Sequence, residues 1–382
     1  MKLVITQANL TLKGGAERVL LKIAQHYDAK IYTAEYDPAK TFEGFEDADV
    51  EVIGRQSLLK KLPYGRTVQG LSYGLSFYNF RIKDDYDVIN AHIAPSHWIR
   101  RNNERVLWYC HTPLRDIYDL YNYRLAMKRL HEKPMHILGA KAVRMLDQGV
   151  VRNIEKILTN SYNTRSRVIK YYGRKDASVL GGGIDCKEYK NGGDKKYFFY
   201  PSRISPNKRQ EYAIRAFNHF KRQVKGYKLV IAGSVSQDSL YYSYYKKIVA
   251  LADAVGDVAI MANPDDTTVR HFYSNCTAVL YTPLNEDYGL VPLEAMASSK
   301  PILAVNEGGP KETVENGKTG MLVNSAEELG NAMKEVAENP SLASELGRNG
   351  RMRVMKNYSW SGFFKEFDKA LQDVKKNRKG RR

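Results

Sequence analysis

"LGGGIDCKEYKNGGDKKYFFYPSR", residues 180–203, joins two halves of the chain that follow one pattern. Its glycines and charges, with no apolar period until "YFFYPSR", read as a connection, and residues 184–195 are the expected linker. Upstream, "KLVIT" leads through a loop to Ala16, Val19, Leu20, Ile23 and Ala24, an apolar stripe at helical spacing. The short apolar runs "AKIYTA", "DVINAH", "RVLWYCH" and "KILTNS" continue as buried strands. Downstream the alternation restarts with "YFFYPSR" and passes through "YKLVIAG", "DVAIMA", "AVLYTP" and "PILAVN", with helices between. Two successive βα series predict an α/β chain built on two doubly wound parallel sheets. The expected domains are residues 1–185 and 195–358.

A length of 382 residues agrees, being too long for one ordinary core. No apolar run approaches the roughly 18 residues of a membrane span, and "MKLVITQ" reads as a first strand, too short in its apolar part for a signal peptide. Cys110, Cys186 and Cys276 are far apart and odd in number, which gives neither a disulfide framework nor a zinc pattern. A reducing, cytoplasmic setting is expected. The formal charge of +18 points to an anionic partner: nucleic acid, a membrane surface or a phosphorylated ligand. Much of the excess sits in the tail "KKNRKGRR" and in residues 121–146, where Arg124, Lys128, Arg129, Lys133, Lys141 and Arg144 mix with Tyr, Met and Leu. That mixture fits an anionic lipid face; a solvated basic helix is the competing reading.

In doubly wound sheets ligands bind beyond the carboxyl ends of the strands, so the loops there should carry the chemistry. After the first strand, Gly14 and Gly15 open a helix whose free N–H groups favour an anion, although a plain tight turn needs the same residues. In "PSRISPNKRQ", Arg203 and Lys208 stand five apart across a turn and can clamp a diphosphate, Arg as a fork and Lys as a point charge. "EGGPKETV", residues 307–314, can also turn backbone N–H groups toward an anion. His111 follows a buried strand at its ligand end, a place from which it can hydrogen-bond substrate. In "LNEDYGLVPLEAMASSKP", residues 284–301, Glu286 and Glu294 enclose seven residues in which a helix begins. Glu286 can accept from sugar hydroxyls, the helix start can donate to phosphate, and Glu294, about two turns in, can accept from a ribose. A capped helix with one solvated glutamate is the simpler alternative. Asp85-Tyr86-Asp87 has the form of a metal-binding D-x-D but precedes its strand, the wrong end for ligands, and reads as a turn.

Together "EDYGLVPLE", "GGAER", "SRISPNK", "EGGPKETV" and "NGKTGMLV" resemble the family 4 glycosyltransferases of the GT-B fold, over nearly the whole chain. "YSWSGFFKEFDKAL" is similar to that family's last helix, which crosses back, so residues 361–382 are expected on the N-terminal domain. "YCHTPLRDIYD" resembles members that add mannose to lipid-linked saccharides. The resemblance implies two Rossmann-like domains facing a cleft. It implies retaining transfer of a hexose, mannose favoured, from a nucleoside diphosphate sugar to a saccharide or lipid-linked saccharide. No metal or other cofactor is implied, and GDP-mannose is favoured over UDP-sugars as donor. On the same basis Arg203 and Lys208 would hold the diphosphate and Glu286 the donor sugar, with backbone groups of Asp287, Tyr288, Gly289 and Leu290. Glu294 would bind ribose, His111 the region of the sugar's 6-hydroxyl, Gly14 and Gly15 the phosphates, and backbone near Ala262–Asp265 the base. The implied place is the cytoplasm, with peripheral attachment to the inner face of the membrane through residues 121–146 and the tail. A GT-B sugar-nucleotide epimerase is the enzymatic alternative. A non-catalytic nucleic-acid binder would explain the charge, but no reading motif is present and nucleic acid is not an expected partner.

Overall fold

The structure, a computed structural model, describes residues 1–54, 65–126, 128–236 and 239–376. Seven parallel strands form the first sheet: β1 (Leu3–Gln7), β2 (Lys30–Thr33), β3 (Val50–Val52), β4 (Val88–Ala91), β5 (Val106–Cys110), β6 (Lys156–Thr159) and β7 (Ser178–Val179). Six more form the second: β8 (Tyr197–Pro201), β9 (Lys228–Gly233), β10 (Val258–Ala262), β11 (Ala278–Tyr281), β12 (Ile302–Val305) and β13 (Gly320–Val323). The spatial orders are β3-β2-β1-β4-β5-β6-β7 and β10-β9-β8-β11-β12-β13. Each order reverses direction once, between β1 and β4 and between β8 and β11. Crevices for ligands form at such reversals.

The runs "YFFYP" and "AVLY" are apolar throughout because both faces of their sheet are covered. Phe198, Tyr200, Leu229, Ile231 and Leu280 enter one core, while Tyr197, Phe199, Val230, Val279 and Tyr281 enter the other. Alternate side chains on a strand point to opposite faces, so a strand covered twice cannot alternate with polar residues. In the first sheet Val4, Ile89, Ala91, Val106, Trp108 and Ile157 join one core on the same logic.

The chain forms two compact units, Met1–Gly182 with Phe364–Arg382, and Gly183–Phe363. The segment with linker composition is packed. Ile184 and Tyr189 are buried in the core of the second unit, and the backbone amides of Gly192 and Lys195 donate to Ser274 O and Asn275 O. At the other end, the helix Trp360–Lys376 carries the chain onto the first unit. There Phe364 stacks on His26 with 3.7 Å between ring centroids, Tyr27 donates to Asp368, and Lys156 pairs with Asp373. Lys375 pairs with Asp87, and Asp85 with Lys2, so both acidic residues of the D-x-D stretch serve the turn before β4. Tail residues 377–382 lie outside the described residues. No helix among the described residues is long and apolar enough to cross a membrane.

Candidate active site

In the second unit the loops after β8 and β11 flank the reversal, and they are bonded to each other. Leu284 N donates to Asn207 O at 2.8 Å, and Arg209 donates from Nε to Thr282 O and from Nη2 to Pro283 O. Arg209 takes a left-handed φ of 54°, which ends the short turn Pro206–Lys208 and starts the helix Gln210–Lys221. Across this junction Lys208 Nζ lies 2.5 Å from Glu286 Oε2, with 13% and 18% of the two side chains exposed. Lys208 also sits 5.6 Å from the ring centroid of Tyr281, whose phenol pKa is pushed up by burial first and then by the charge of Glu286. The structure therefore brings together Lys208 and Glu286, 78 residues apart in the chain. Arg203 is exposed at the end of β8, with its carbonyl held by Gln210 Nε2 at 2.9 Å and its guanidinium unpaired among the described residues.

The loop after β12 uses at least one of its glycines to brace Glu286. Gly309 N donates to Glu286 O at 2.8 Å, so that amide is spent on the protein rather than offered to an anion. Gly308 has φ 57°, and a Cβ there would run into the backbone of Glu286. Glu307 pairs with Arg209 at 2.9 Å and accepts from Asn285 N. The glycines allow close approach, and the carboxylate ties three loops around Glu286. Arg209 and Glu307 were not singled out in the sequence. Their signal, a charge pair at the ends of β8 and β12, needs the strand order to be visible.

Gly289, at φ 83°, precedes the helix Leu290–Ala297, and Asp287, Tyr288, Gly289 and Leu290 form its approach. Glu294 lies on that helix with both oxygens oriented: Tyr189 OH donates to Oε1 at 3.1 Å and Tyr273 OH to Oε2 at 2.6 Å. The two phenols thus fix the direction in which the carboxylate faces. Beyond β10, the exposed turn at Ala262 and Asn263 is tied to the end of β9 by Asn263 N donating to Gly233 O at 3.0 Å.

Gly14, Gly15 and His111 belong to the first unit. Gly14 precedes the helix Gly15–Tyr27, but the buried side chain of Glu17 folds against it and takes the room a Cβ would need. Thus a carboxylate already occupies the first turn where an anion was expected, and Gln7 Nε2 donates to it at 3.3 Å. His111 follows β5 and is almost buried; its carbonyl accepts from Asn160 Nδ2 at 3.1 Å. Its ring Nε2 lies 3.0 Å from Nδ1 of His92, and His92 Nε2 lies 2.7 Å from Asn90 Oδ1. Burial in the absence of a carboxylate partner lowers both imidazole pKa values, that of His111 to about 3. In the sequence Asn90 and His92 stand out only as part of a strand. Polar residues two apart at the ligand end of a buried run were the signal.

Residues 121–146 also lie in the first unit. The helix Lys133–Val151 exposes Met135, Leu138 and Met145, and Leu130 just before it is 82% exposed. Arg129 and Lys141 are exposed beside them. Arg144, by contrast, is turned inward, donating to Ile117 O and lying 4.3 Å from the Tyr121 ring centroid, and Arg124 pairs with Asp116.

Two parallel α/β units, each with polar groups at its strand reversal, define a GT-B transferase fold. The structure of Alr3699/HepE from Anabaena in complex with UDP and glucose matches at a TM-score of 0.75, with 19% identity, covering 97% of this chain and 99% of that one. Sucrose-phosphate synthase from Thermosynechococcus elongatus matches at 0.78, with 17% identity, covering 98% and 99%. Residues 13–188 match the family described as Glycosyltransferase Family 4, and residues 185–353 match Glycosyl transferases group 1. Alpha-1,3/1,6-mannosyltransferase ALG2 of Mus musculus is 28% identical over 389 residues, covering 92% of this chain and 91% of its own length. Its counterpart in Dictyostelium discoideum is 26% identical and covers 95% of each chain. The chain is a glycosyltransferase whose two halves match these two family models. It is an enzyme that acts on glycans.

Proposed function

We propose that this enzyme transfers mannose from a nucleoside diphosphate mannose, GDP-mannose ahead of UDP-sugars, to a saccharide or lipid-linked saccharide, retaining configuration and using no metal. The observation that carries the reading is the Lys208–Glu286 pair at the reversal of the second sheet, with Arg203 exposed at the adjoining strand end. The names of the relatives support mannose as the sugar.

Breaking the bond between the sugar's anomeric carbon and the diphosphate leaves charge on the departing phosphate. Lys208 and Arg203 are placed to stabilise it, and stabilisation of developing charge by fixed donors is usually the largest single contribution to catalysis. Glu286, braced by Gly309, accepts from hydroxyls of the donor sugar while Lys208 fixes its carboxylate. The acceptor hydroxyl attacks the anomeric carbon from the face the diphosphate leaves. The new carbon–oxygen bond forms as the old one breaks, the acceptor's proton passes to the departing phosphate oxygen, and free nucleoside diphosphate is released. Glu294, oriented by Tyr189 and Tyr273, takes the ribose, and backbone of Asp287, Tyr288, Gly289 and Leu290 lines the donor. The family resemblance alone assigns His111 to the region of the sugar's 6-hydroxyl and Gly14 and Gly15 to the phosphates, although Glu17 packs on Gly14. The acceptor is met at an anionic membrane face through the exposed apolar and basic side chains of residues 129–145.

The test is thermal stabilisation by GDP, UDP and their sugars, followed by transfer assays with the best donor. GDP and GDP-mannose should raise the melting temperature most, and transfer should need an acceptor. Conversion of nucleotide sugar to an isomer without acceptor would make the enzyme an epimerase; indifference to every nucleoside diphosphate would end the reading.

A further inference from the structure

Three nitrogen-bearing side chains at the ligand ends of β4 and β5 form a one-way hydrogen-bond chain. Its direction is set at its buried end. Asn90 is fully buried, and its Nδ2 donates to Leu107 O at 3.2 Å. Turning the amide over would set Asn90 Oδ1 against that carbonyl, two acceptors with no proton between them. Oδ1 therefore faces His92 Nε2 at 2.7 Å, and Nε2 must carry the hydrogen. His92 is wholly buried, with its ring tilted against Tyr109 and its carbonyl accepting from Trp108 Nε1. Burial and the neighbouring His111 keep it neutral. A neutral imidazole has one donor and one acceptor, so His92 Nδ1 is the acceptor. The atom 3.0 Å away, His111 Nε2, must then be the donor. Nδ1 of His111 is left as a bare acceptor; it makes no hydrogen bond among the described residues and is not one of the buried orphan atoms.

We propose that Asn90 and His92 are positioning residues that hold His111 as the Nε2–H tautomer, so that it presents Nδ1 as an acceptor to a substrate hydroxyl. The substrate part rests on the reading of His111 as a group that faces the donor sugar; the tautomer part does not. The arrangement resembles the way a second partner fixes which ring nitrogen a functional histidine exposes. Here an amide does this through an intermediate imidazole, with no carboxylate bonded to either ring among the described residues. A neutral acceptor selects a hydroxyl over an anion, which suits a sugar and not its phosphate.

Long-range 15N–1H NMR of histidine-labelled protein reads both rings directly. At pH 7 His92 and His111 should each show a protonated Nε2 and a bare Nδ1. Finding His111 protonated on Nδ1, or charged, overturns the proposal whether or not any substitution folds. In H92L, His111 should become a mixture of tautomers, and kcat/KM for sugar transfer should fall about tenfold, the scale of one lost neutral hydrogen bond. Affinity for free nucleoside diphosphate should not change. A folded H92L that keeps a pure Nε2–H His111 and full transfer would show that His92 positions nothing. If the native enzyme transfers no sugar, the proposed function fails, and the tautomers still decide the relay.

Discussion

Lys208→Ala removes a cation from Glu286 and, in the proposed mechanism, from the departing diphosphate. Turnover should fall at least ~10²-fold, as when a preorganised charge-stabilising donor is lost, and Arg203→Ala should fall similarly. Steady-state assays on folded variants check this; near-normal turnover in either would remove that residue from the site. The two glutamates should separate by ligand. Glu286→Ala should spare affinity for free GDP or UDP and damage transfer, because its proposed partner is the sugar. Glu294→Ala should weaken the nucleoside diphosphate itself by about 1–3 kcal/mol. Calorimetry on both variants decides it, and equal losses would mean the roles are mixed. Arg203, Lys208, Glu286 and Glu294 are legible in the sequence because each lies within a few residues of a strand end or helix start. Tyr189 is not, since it meets Glu294 across 105 residues and sits in a stretch of linker composition. Arg209 and Glu307, 98 apart, are hidden for the same reason. Sequence shows which group a loop carries, whereas the partner that aims it is set by strand order.

Among the elements, the strands that both faces bury are plain as apolar runs. The ones missed, β3, β7 and β13, are all sheet edges: β3 and β7 are short and largely exposed, so the core imposes no apolar run there, whereas β13 is apolar but only four residues long. The helix Lys133–Val151 shows how one element can serve two sides. Its exposed side bears Met135, Leu138 and Met145, whereas its buried Asp147 accepts from His97, Trp98, Tyr118 and Tyr172 at 2.6–2.9 Å. Those donors hold the Asp147 carboxyl below its ordinary range against the upward push of burial. Asp147→Leu would strand three buried donors and the half-buried Tyr172, and chemical denaturation should show a loss of at least ~3 kcal/mol. A loss below ~1 kcal/mol would mean the network anchors nothing. The outer side makes a separate prediction. Sedimentation with liposomes should rise with anionic lipid, fall with salt, and drop when Arg129 and Lys141 become Gln and Leu138 becomes Ser. Arg144→Gln should reduce stability more than lipid binding, because Arg144 is bonded inward. Indifference to anionic liposomes at low salt would remove the membrane from the account and leave the sugar chemistry standing.

For the whole molecule, two βα series and the break between them were enough to foresee two parallel sheets, since both follow from burial periodicity. The break itself is more ordered than its glycines imply: Tyr189 turns part of it into support for Glu294. Each sheet places its polar groups at one reversal, the second carrying cations with carboxylates and the first a neutral histidine chain. On the proposed function, the second unit would hold the diphosphate donor through its cations, and the first would offer an uncharged acceptor to hydroxyls. In the proposed mechanism the leaving phosphate, steadied by Lys208 and Arg203, is the base for the incoming hydroxyl. The most direct measurement is the anomeric configuration, by NMR, of the product formed from nucleoside diphosphate mannose in excess EDTA. The account predicts an efficient reaction whose product keeps the configuration of the donor. An inverted product, or transfer that stops in EDTA and returns with magnesium, would contradict it.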